Sequence, residues 1–501
     1  MASTSTIHDI PLRRVASEKQ NNDSINLERV NPVPTGIRND GAGDEREDVV
    51  VTPAPQTPAQ RRMELVQLAV LCWAMFVAGW NDASLGPLIP RIQEQYHLGY
   101  TIVSLIFVFR CIVSVFGMHS GSSNSALEGM SSRNRAYHLT GTETWFWKSR
   151  QLLILGSVIL AVGNVFQVTA MLPFPVFVMG AFINGIGYAM ENAQAIAYVA
   201  GLPDDHGLKM GLFQATYGAG ALISPLVATQ FSEMKHWSFH YLISLGVAFF
   251  ATALFVWLFR GRTQRDCLEQ IGVASGPPEK EGILSGTPKR SPLHEIVASK
   301  TVHILALFLF VYVGTEVTIG GWIVSFMITV RGGGSSSGYI SAGFFGGLML
   351  GRLLLLPVNK LLGPNRAVYL YGALCIGYAT LLFLHMASIS ILTPLLPHTS
   401  LELIIWLVPS FLGSALSVAF VGTLLGPLYP IAMGHAARTF HPALLTGSIS
   451  WVSGVATAGS AVLPFITGAI AGKAGIRSLE PVVVGMLTGM LVLWAWVVKA
   501  R

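Results

Sequence analysis

Three carboxylates stand where water is scarce. Asp82, Glu191 and Glu316 each lie inside a long apolar run, where an ionised side chain costs at least about 2.5–3.5 kcal/mol. Low-dielectric surroundings favour the protonated form of a carboxyl group, so such residues can take up and release a proton. The alternative is that they are neutral, hydrogen-bonded packing residues. Polar and aromatic side chains gather nearby: Trp80 and Asn81, Asn192 and Gln194, then Gln214 and Tyr217. Later in the chain come Trp322, Tyr429 and Trp451. Amides hydrogen-bond hydroxyl groups and aromatic faces pack on rings, a combination common in small-molecule sites. The same residue types also serve helix packing and the aromatic belt at a membrane surface. The four cysteines (Cys72, Cys111, Cys267, Cys375) lie far apart, with neither metal-ligand spacing nor a disulfide framework. Solute binding and proton movement are therefore the chemistry to expect, with no metal, no cofactor and no covalent catalysis.

Those residues need long apolar elements to hold them, and the composition supplies these. The chain has 501 residues, 52% of them hydrophobic and only 12% charged, where a soluble domain carries roughly 25% charge. Of the charges, 17 fall within residues 1–62 and another 12 within 260–300. A soluble multi-domain enzyme is excluded. The net charge of +6 is no nucleic-acid footprint, because the basic residues flank apolar segments. An all-α polytopic membrane protein, embedded in a lipid bilayer, is the class that remains.

Apolar runs near or above the roughly 18–20 residues needed to span occupy about 64–90, 151–171, 174–200, 208–230, 238–260, 302–328, 337–358, 367–396, 401–435, 443–471 and 478–498. A shorter run, Thr101–Met118, carries Arg110, for which snorkelling to the surface is the expected fate. With it the count is twelve, six on each side of the linker. Placing the N-terminus inside puts 19 Lys and Arg on inner loops and flanks against five outside, so both termini are expected in the cytoplasm. Residues 1–62 read as a disordered cytoplasmic tail, 63–260 and 301–501 as two six-helix bundles, and 261–300 as a central cytoplasmic loop. The halves echo each other in Gly99-Tyr100 and Gly338-Tyr339, and in Gly220-x4-Pro225 and Gly459-x4-Pro464. Two six-helix halves with a basic central loop are the layout of major facilitator transporters.

Longer motifs sharpen that likeness. Trp80-Asn81-Asp82 precedes Gly86-Pro87-Leu88-Ile89-Pro90-Arg91. Then come His236-Trp237-Ser238-Phe239-His240-Tyr241, Glu316-Val317-Thr318-Ile319-Gly320-Gly321-Trp322, Arg331-Gly332-Gly333-Gly334 and Leu425-Gly426-Pro427-Leu428-Tyr429-Pro430. From about Leu65 to Val498 the chain resembles fungal major facilitator carriers of the bypass of stop codon 6 branch, itself similar to the fucose permeases. The resemblance implies alternating access without catalysis, a small sugar-like solute moved together with protons, and a monomer in the plasma or vacuolar membrane. It implies proton coupling through Asp82 and Glu191, the counterparts of acidic residues on the first and fourth helices, with Glu316 a third candidate. The solute-binding candidates are those named above. Trp237, His240 and Tyr241 are expected at a membrane interface instead. Arg352, followed by Asn359, Lys360 and Arg366, resembles the second-half copy of the cytoplasmic loop that latches the two states. Sugar-porter and complete antiporter signatures are absent; a drug or metabolite exporter stands as the alternative, and the missing antiporter motif counts against it.

Two segments depart from the pattern. The first-half copy of the latch loop should contain Asp-Arg-x-Gly, but the chain reads Leu139-Thr140-Gly141-Thr142-Glu143-Thr144-Trp145-Phe146-Trp147-Lys148. Read one nucleotide out of frame, the codons for Glu143–Ser149 can encode Arg-Leu-Gly-Phe-Gly-Lys. Residues 119–150 are thus expected to derive from a gene-model error, and 378–400 from a second insert. If both segments are real, a truncated second helix and a non-transporting membrane protein become the competing reading.

Overall fold

The computed structural model describes residues 56–111, 149–169, 172–200, 202, 206–259, 267, 270–272, 292–387, 411–440 and 442–499. Most of the suspect segments 119–150 and 378–400 lies outside them. Among the described residues every regular element is a helix. The first half comprises α1 (Pro58–Ala83), α2 (Leu85–Tyr96), α3 (Tyr100–Cys111), α4 (Ser149–Val168), α5 (Phe174–Ala200), α6 (His206–Ser232) and α7 (His240–Phe259). A short α8 (Pro292–Ala298) precedes α9 (Lys300–Arg331), α10 (Gly338–Leu354), α11 (Leu356–Leu362) and α12 (Pro364–Ala387). The chain continues with α13 (Phe411–Leu425), α14 (Leu428–Thr439), α15 (Pro442–Ala474) and α16 (Leu479–Lys499).

Among the described residues, seven helical stretches are long and apolar enough to cross a membrane, and the bent pair α10–α11 makes an eighth. Helix α3 and residues Leu152–Val168 are apolar but shorter. The first span begins earlier than the sequence implies. Pro58 sits in the first turn, and Thr57 caps it by accepting from the Gln60 N–H while Gln60 returns the bond to the Thr57 N–H at 2.8 Å. The span breaks at Ser84, and α2 ends on His97 with φ +53°. Helix α9 stops at Gly332, whose φ of +66° explains a glycine directly after Arg331.

The expected central loop is partly structured. Cys267 and Ile271 are buried against the first half. The Gln67 amide donates to the Cys267 carbonyl at 3.3 Å, and the Gln56 amide donates to that of Ile271 at 2.8 Å. Tyr198 donates to Gln67 at 2.8 Å, and Lys209 pairs with the buried Glu64 beside them. These bonds fasten the linker to the first half at the end where α1 begins.

Each half is built on a tight helix pair, α1 with α6 and α9 with α15. The echoed glycines explain both. A Cβ on Gly220 would lie 2.0 Å from the Phe76 carbonyl oxygen, and one on Gly459 would lie 2.0 Å from that of Phe310. Small residues let membrane helices approach to backbone contact. The remaining interior is filled by large side chains such as Trp322, Trp494, Tyr312 and Phe177. Phe249, Trp257, Leu416 and Trp496 face outward, as lipid contact allows.

The halves meet chiefly through α6 against α10, α2 against α9, and α3 against α15. One end is closely sealed. Gly86 abuts the Gly320 carbonyl, Thr229 abuts Gly338, and Gln230 hydrogen-bonds Tyr339. Trp322 lies between Tyr100 and Phe107, with ring centroids 5.8 and 5.9 Å away. Its indole N–H donates to the Pro464 carbonyl at 3.0 Å.

Overpacking a membrane helix pair at these glycines should cost at least about 1–3 kcal/mol. Gly220→Val and Gly459→Val should each lower the unfolding temperature of the detergent-purified chain. Gly246→Ala points into open space and should leave it unchanged. Equal effects of all three would refute the packing role.

Candidate functional site

Against the sealed end, between the halves, lies a cavity of about 150 Å³. Leu85 and Phe107 form its wall on that side. Asp82 enters from α1, four residues before Gly86, and Glu316 enters from α9, four residues before Gly320. Because those two glycines abut across the sealed end, the two acids occupy matching places in the two halves.

Arg110 does not snorkel. Its Nη2 lies 2.7 Å from Asp82 Oδ1, and its Nη1 donates to the Asn81 carbonyl at 2.9 Å. The Tyr217 hydroxyl donates to Asp82 Oδ2 at 2.9 Å. Asp82, on α1, is therefore held from two other helices, α3 and α6. An ion pair removed from water at this depth is sustained only when hydrogen bonds complete it, and the α3 arginine supplies what the apolar surroundings cannot.

Arg352, in the last turn of α10, also reaches the cavity and not a surface loop. Its Nη1 donates to the Gln214 carbonyl on α6 at 3.2 Å, and its guanidinium sits 5.9 Å from the centre of the Tyr217 ring. Tyr312 and Glu316 on α9 lie within its electrostatic reach. The other motif residues stay outside. Asn359 accepts from the Tyr371 hydroxyl at 2.8 Å, bracing α11 on α12, while Lys360 and Arg366 are exposed.

Of the expected solute-binding residues, Asn192, Gln214, Tyr217 and Tyr429 line the cavity. Five do not. The Trp80 indole N–H donates to Ser244 at 2.9 Å and its ring stacks on His240. Asn81 turns its amide back to the Val77 carbonyl at 2.9 Å. Gln194 is buried away from the cavity, Trp322 belongs to the seal, and Trp451 packs edge-on against His303. Trp237, His240 and Tyr241 are buried in an aromatic cluster with Phe177 and Trp80, not turned to headgroups. Glu191 faces a separate small pocket among Ala74, Ala78, Leu160 and Ala195, with no hydrogen-bond partner for Oε1. Tyr188 and Asn192 form a wall common to that pocket and the main cavity.

The sequence reasoning missed Arg110, Tyr188 and a hydroxyl stripe on α15, Ser453, Thr457 and Ser460. Both signals were available. An arginine inside an apolar run is as anomalous as a carboxylate, and spacings of four and three put the three hydroxyls on one helix face.

Comparison with known proteins agrees with this architecture. The chain is 27% identical over 425 residues to bypass of stop codon protein 6 of Saccharomyces cerevisiae, covering 82% of this chain and 79% of that protein. It is 22% identical over 423 residues to a glucose/galactose transporter of Brucella abortus, covering 80% and 86%. Among solved structures, the nucleoside transporter NupG aligns with a TM-score of 0.58 at 12% identity, over 87% of this chain and 99% of that one. A D-xylose-proton symporter aligns at 0.60 and 12% identity, over 86% and 97%. These two likenesses concern the fold. The pattern of the Major Facilitator Superfamily itself matches residues 144–401, more than half of the chain and parts of both halves. With a match of that extent laid over two helical halves and a cavity between them, the chain belongs to the Major Facilitator Superfamily and is an integral membrane transporter, not an enzyme.

Proposed function

We propose that the chain carries a small, sugar-like solute by alternating access, with protons moving alongside it. The observation that carries this reading is the Asp82–Arg110 pair, an ionisable contact on the wall of a cavity that lies between the halves and against their sealed end. With the basic loops in the cytoplasm, the sealed end faces outward and this conformation is the one that serves the inner side. The membrane is the plasma or the vacuolar one.

Cavity chemistry supports a polyhydroxyl solute. Asn192 and Gln214 offer amides, Ser453, Thr457 and Ser460 offer hydroxyls, and Tyr217 and Tyr429 offer ring faces. A relative is named as a glucose/galactose transporter, and a structural neighbour as a D-xylose-proton symporter.

Asp82 is the principal proton site in this reading. Ionised, it is held by Arg110 and by the Tyr217 hydroxyl. A proton removes its charge and weakens both contacts, freeing α3 and α6 to move relative to α1. Glu191, buried behind the cavity wall with an unpartnered oxygen, is the second site. Glu316, on the opposite wall, is the third.

Two measurements test this. In proteoliposomes loaded at neutral pH, hexose accumulation should rise as the outside pH falls from about 7.5 to 5.5. Asp82→Asn should abolish the accumulation yet keep solute counterflow. Accumulation by Asp82→Asn equal to that of the parent would refute the coupling role. Separately, Arg110→Leu strands a half-buried carboxylate and should destabilise the chain by about 1–3 kcal/mol. Adding Asp82→Asn to it should restore much of that loss, read as thermal unfolding in detergent. Strictly additive losses would show that the pair does not interact.

A further inference from the structure

Resting on the transport reading above, we infer that the natural solute is a sugar acid, a polyhydroxyl compound whose carboxylate is bound by Arg352 and Arg110. The starting observation is an inequality between the two arginines in the cavity. Arg110 is matched to a carboxylate, at 2.7 Å from Asp82. Arg352 has no carboxylate in ion-pair contact. Its neighbours are the Gln214 carbonyl and the Tyr217 ring, and its Nε is buried without a hydrogen-bond partner. The buried Tyr312 hydroxyl lies between Arg352 and Glu316 and interacts with both.

A guanidinium presents donors in a planar fork that fits a carboxylate through two parallel bonds. A buried donor left unsatisfied costs about 1–3 kcal/mol. A neutral sugar hydroxyl can accept one such bond but leaves the charge unmet. A solute carboxylate satisfies the Nε, the adjacent Nη and the charge at once.

Charge balance through the cycle points the same way. The charged and titratable groups facing the cavity from the first half are Asp82 on α1, Arg110 and Cys111 on α3, Tyr188 on α5 and Tyr217 on α6. The second half contributes Glu316 on α9, Arg352 on α10 and Tyr429 on α14, with Tyr312 close to Arg352 and Glu316. Two carboxylates and two guanidiniums leave the empty site neutral overall. When Asp82 takes a proton, one guanidinium charge in the small cavity is left with nothing to balance it. An anionic solute replaces the charge that the proton removed, carboxylate for carboxylate. One proton entering with one monoanion then restores the balance without net charge transfer. The amides and the α15 hydroxyls remain available for the rest of a polyhydroxyl chain. A solute carboxyl with a pKa near about 3.5 stays ionised at the acid pH that drives uptake.

The test separates binding from transport. Thermal unfolding of the purified full chain at pH 5.5 is measured with sodium D-gluconate, with sodium D-galacturonate, and with D-glucose plus equimolar sodium chloride. Gluconate or galacturonate should raise the unfolding temperature at concentrations at least tenfold below those at which glucose does. Arg352→Gln should abolish that preference. Arg352→Lys, which keeps the charge but loses the fork, should weaken it at least tenfold and guards against a folding defect in the first variant. Glucose stabilising as well as the acids, or an undiminished acid effect in folded Arg352→Gln, overturns the inference. Flux of the same solutes into proteoliposomes then addresses the transport reading by itself. Glucose carried in preference to gluconate overturns the inference and keeps that reading, whereas selective acid binding with no flux of any solute counts against transport alone.

Discussion

Charge inside a hydrocarbon phase has to be met by opposite charge or by hydrogen bonds, and at Asp82 both fall on a single carboxylate. Its partners come from α3 and α6, so those helices must approach α1 closely enough for side chains of fixed reach to touch it. The approach between α1 and α6 is possible because Gly79 and Gly220 present bare backbone to each other's helix. The packing of the first half and the electrostatics of its central acid are thus parts of one arrangement. A bulkier residue at either glycine would move Tyr217 away from Asp82 as surely as it would open the helix pair.

The second half repeats the packing without repeating the pairing. Gly459 against Phe310 reproduces the α1–α6 contact, and Glu316 takes the place of Asp82. The arginines are out of step, however. Arg110 stands ten residues beyond Tyr100, while Arg352 stands thirteen beyond Tyr339. Thirteen residues carry a helix roughly one turn further than ten do. That places Arg352 beyond its acid and beside α6 of the other half, where it finds the Gln214 carbonyl and the Tyr217 ring.

Much of this was legible in the sequence, for reasons that differ by level. The membrane class followed from where charges are missing, and the spans from the bilayer's fixed thickness, so α5, α6, α9 and α15 fall close to their expected limits. The Gly-x4-Pro echo marked the repeated helix contact before any geometry was available. Which face of a helix a polar residue occupies was not legible. Span-long runs show little periodicity when lipid and protein interior are equally apolar. Trp80, Asn81 and Gln194 therefore looked equivalent to Asn192 and Gln214, although the first three turn into helix contacts. Arg110 was misjudged because a long cation was allowed to escape to the surface, an option closed by the carboxylate within its reach. Arg352 was placed on its span by the sequence, but which way it faces is set by the α6 carbonyl and ring within its reach.

Tyr217 joins these threads physically. Its hydroxyl is bonded to Asp82 in its own half, and its ring lies beneath the guanidinium of Arg352 from the other. A group that serves both sides transmits a change at either. In the proposed cycle, loss of charge at Asp82 would release the hydroxyl and let the ring turn. An anion at Arg352 withdraws the guanidinium from the ring face, because a full charge outcompetes a quadrupole worth only about 0.5–2 kcal/mol. In that cycle, proton and solute would act on the same α6–α10 contact without needing to touch each other. Coupling through a shared contact requires no long pathway, only a helix pair with two arrangements and a different bond favouring each. Beside that contact Gly218 meets Met349, and one turn further along α6 Leu222 packs on Gly346, so the two helices touch through small residues on both sides.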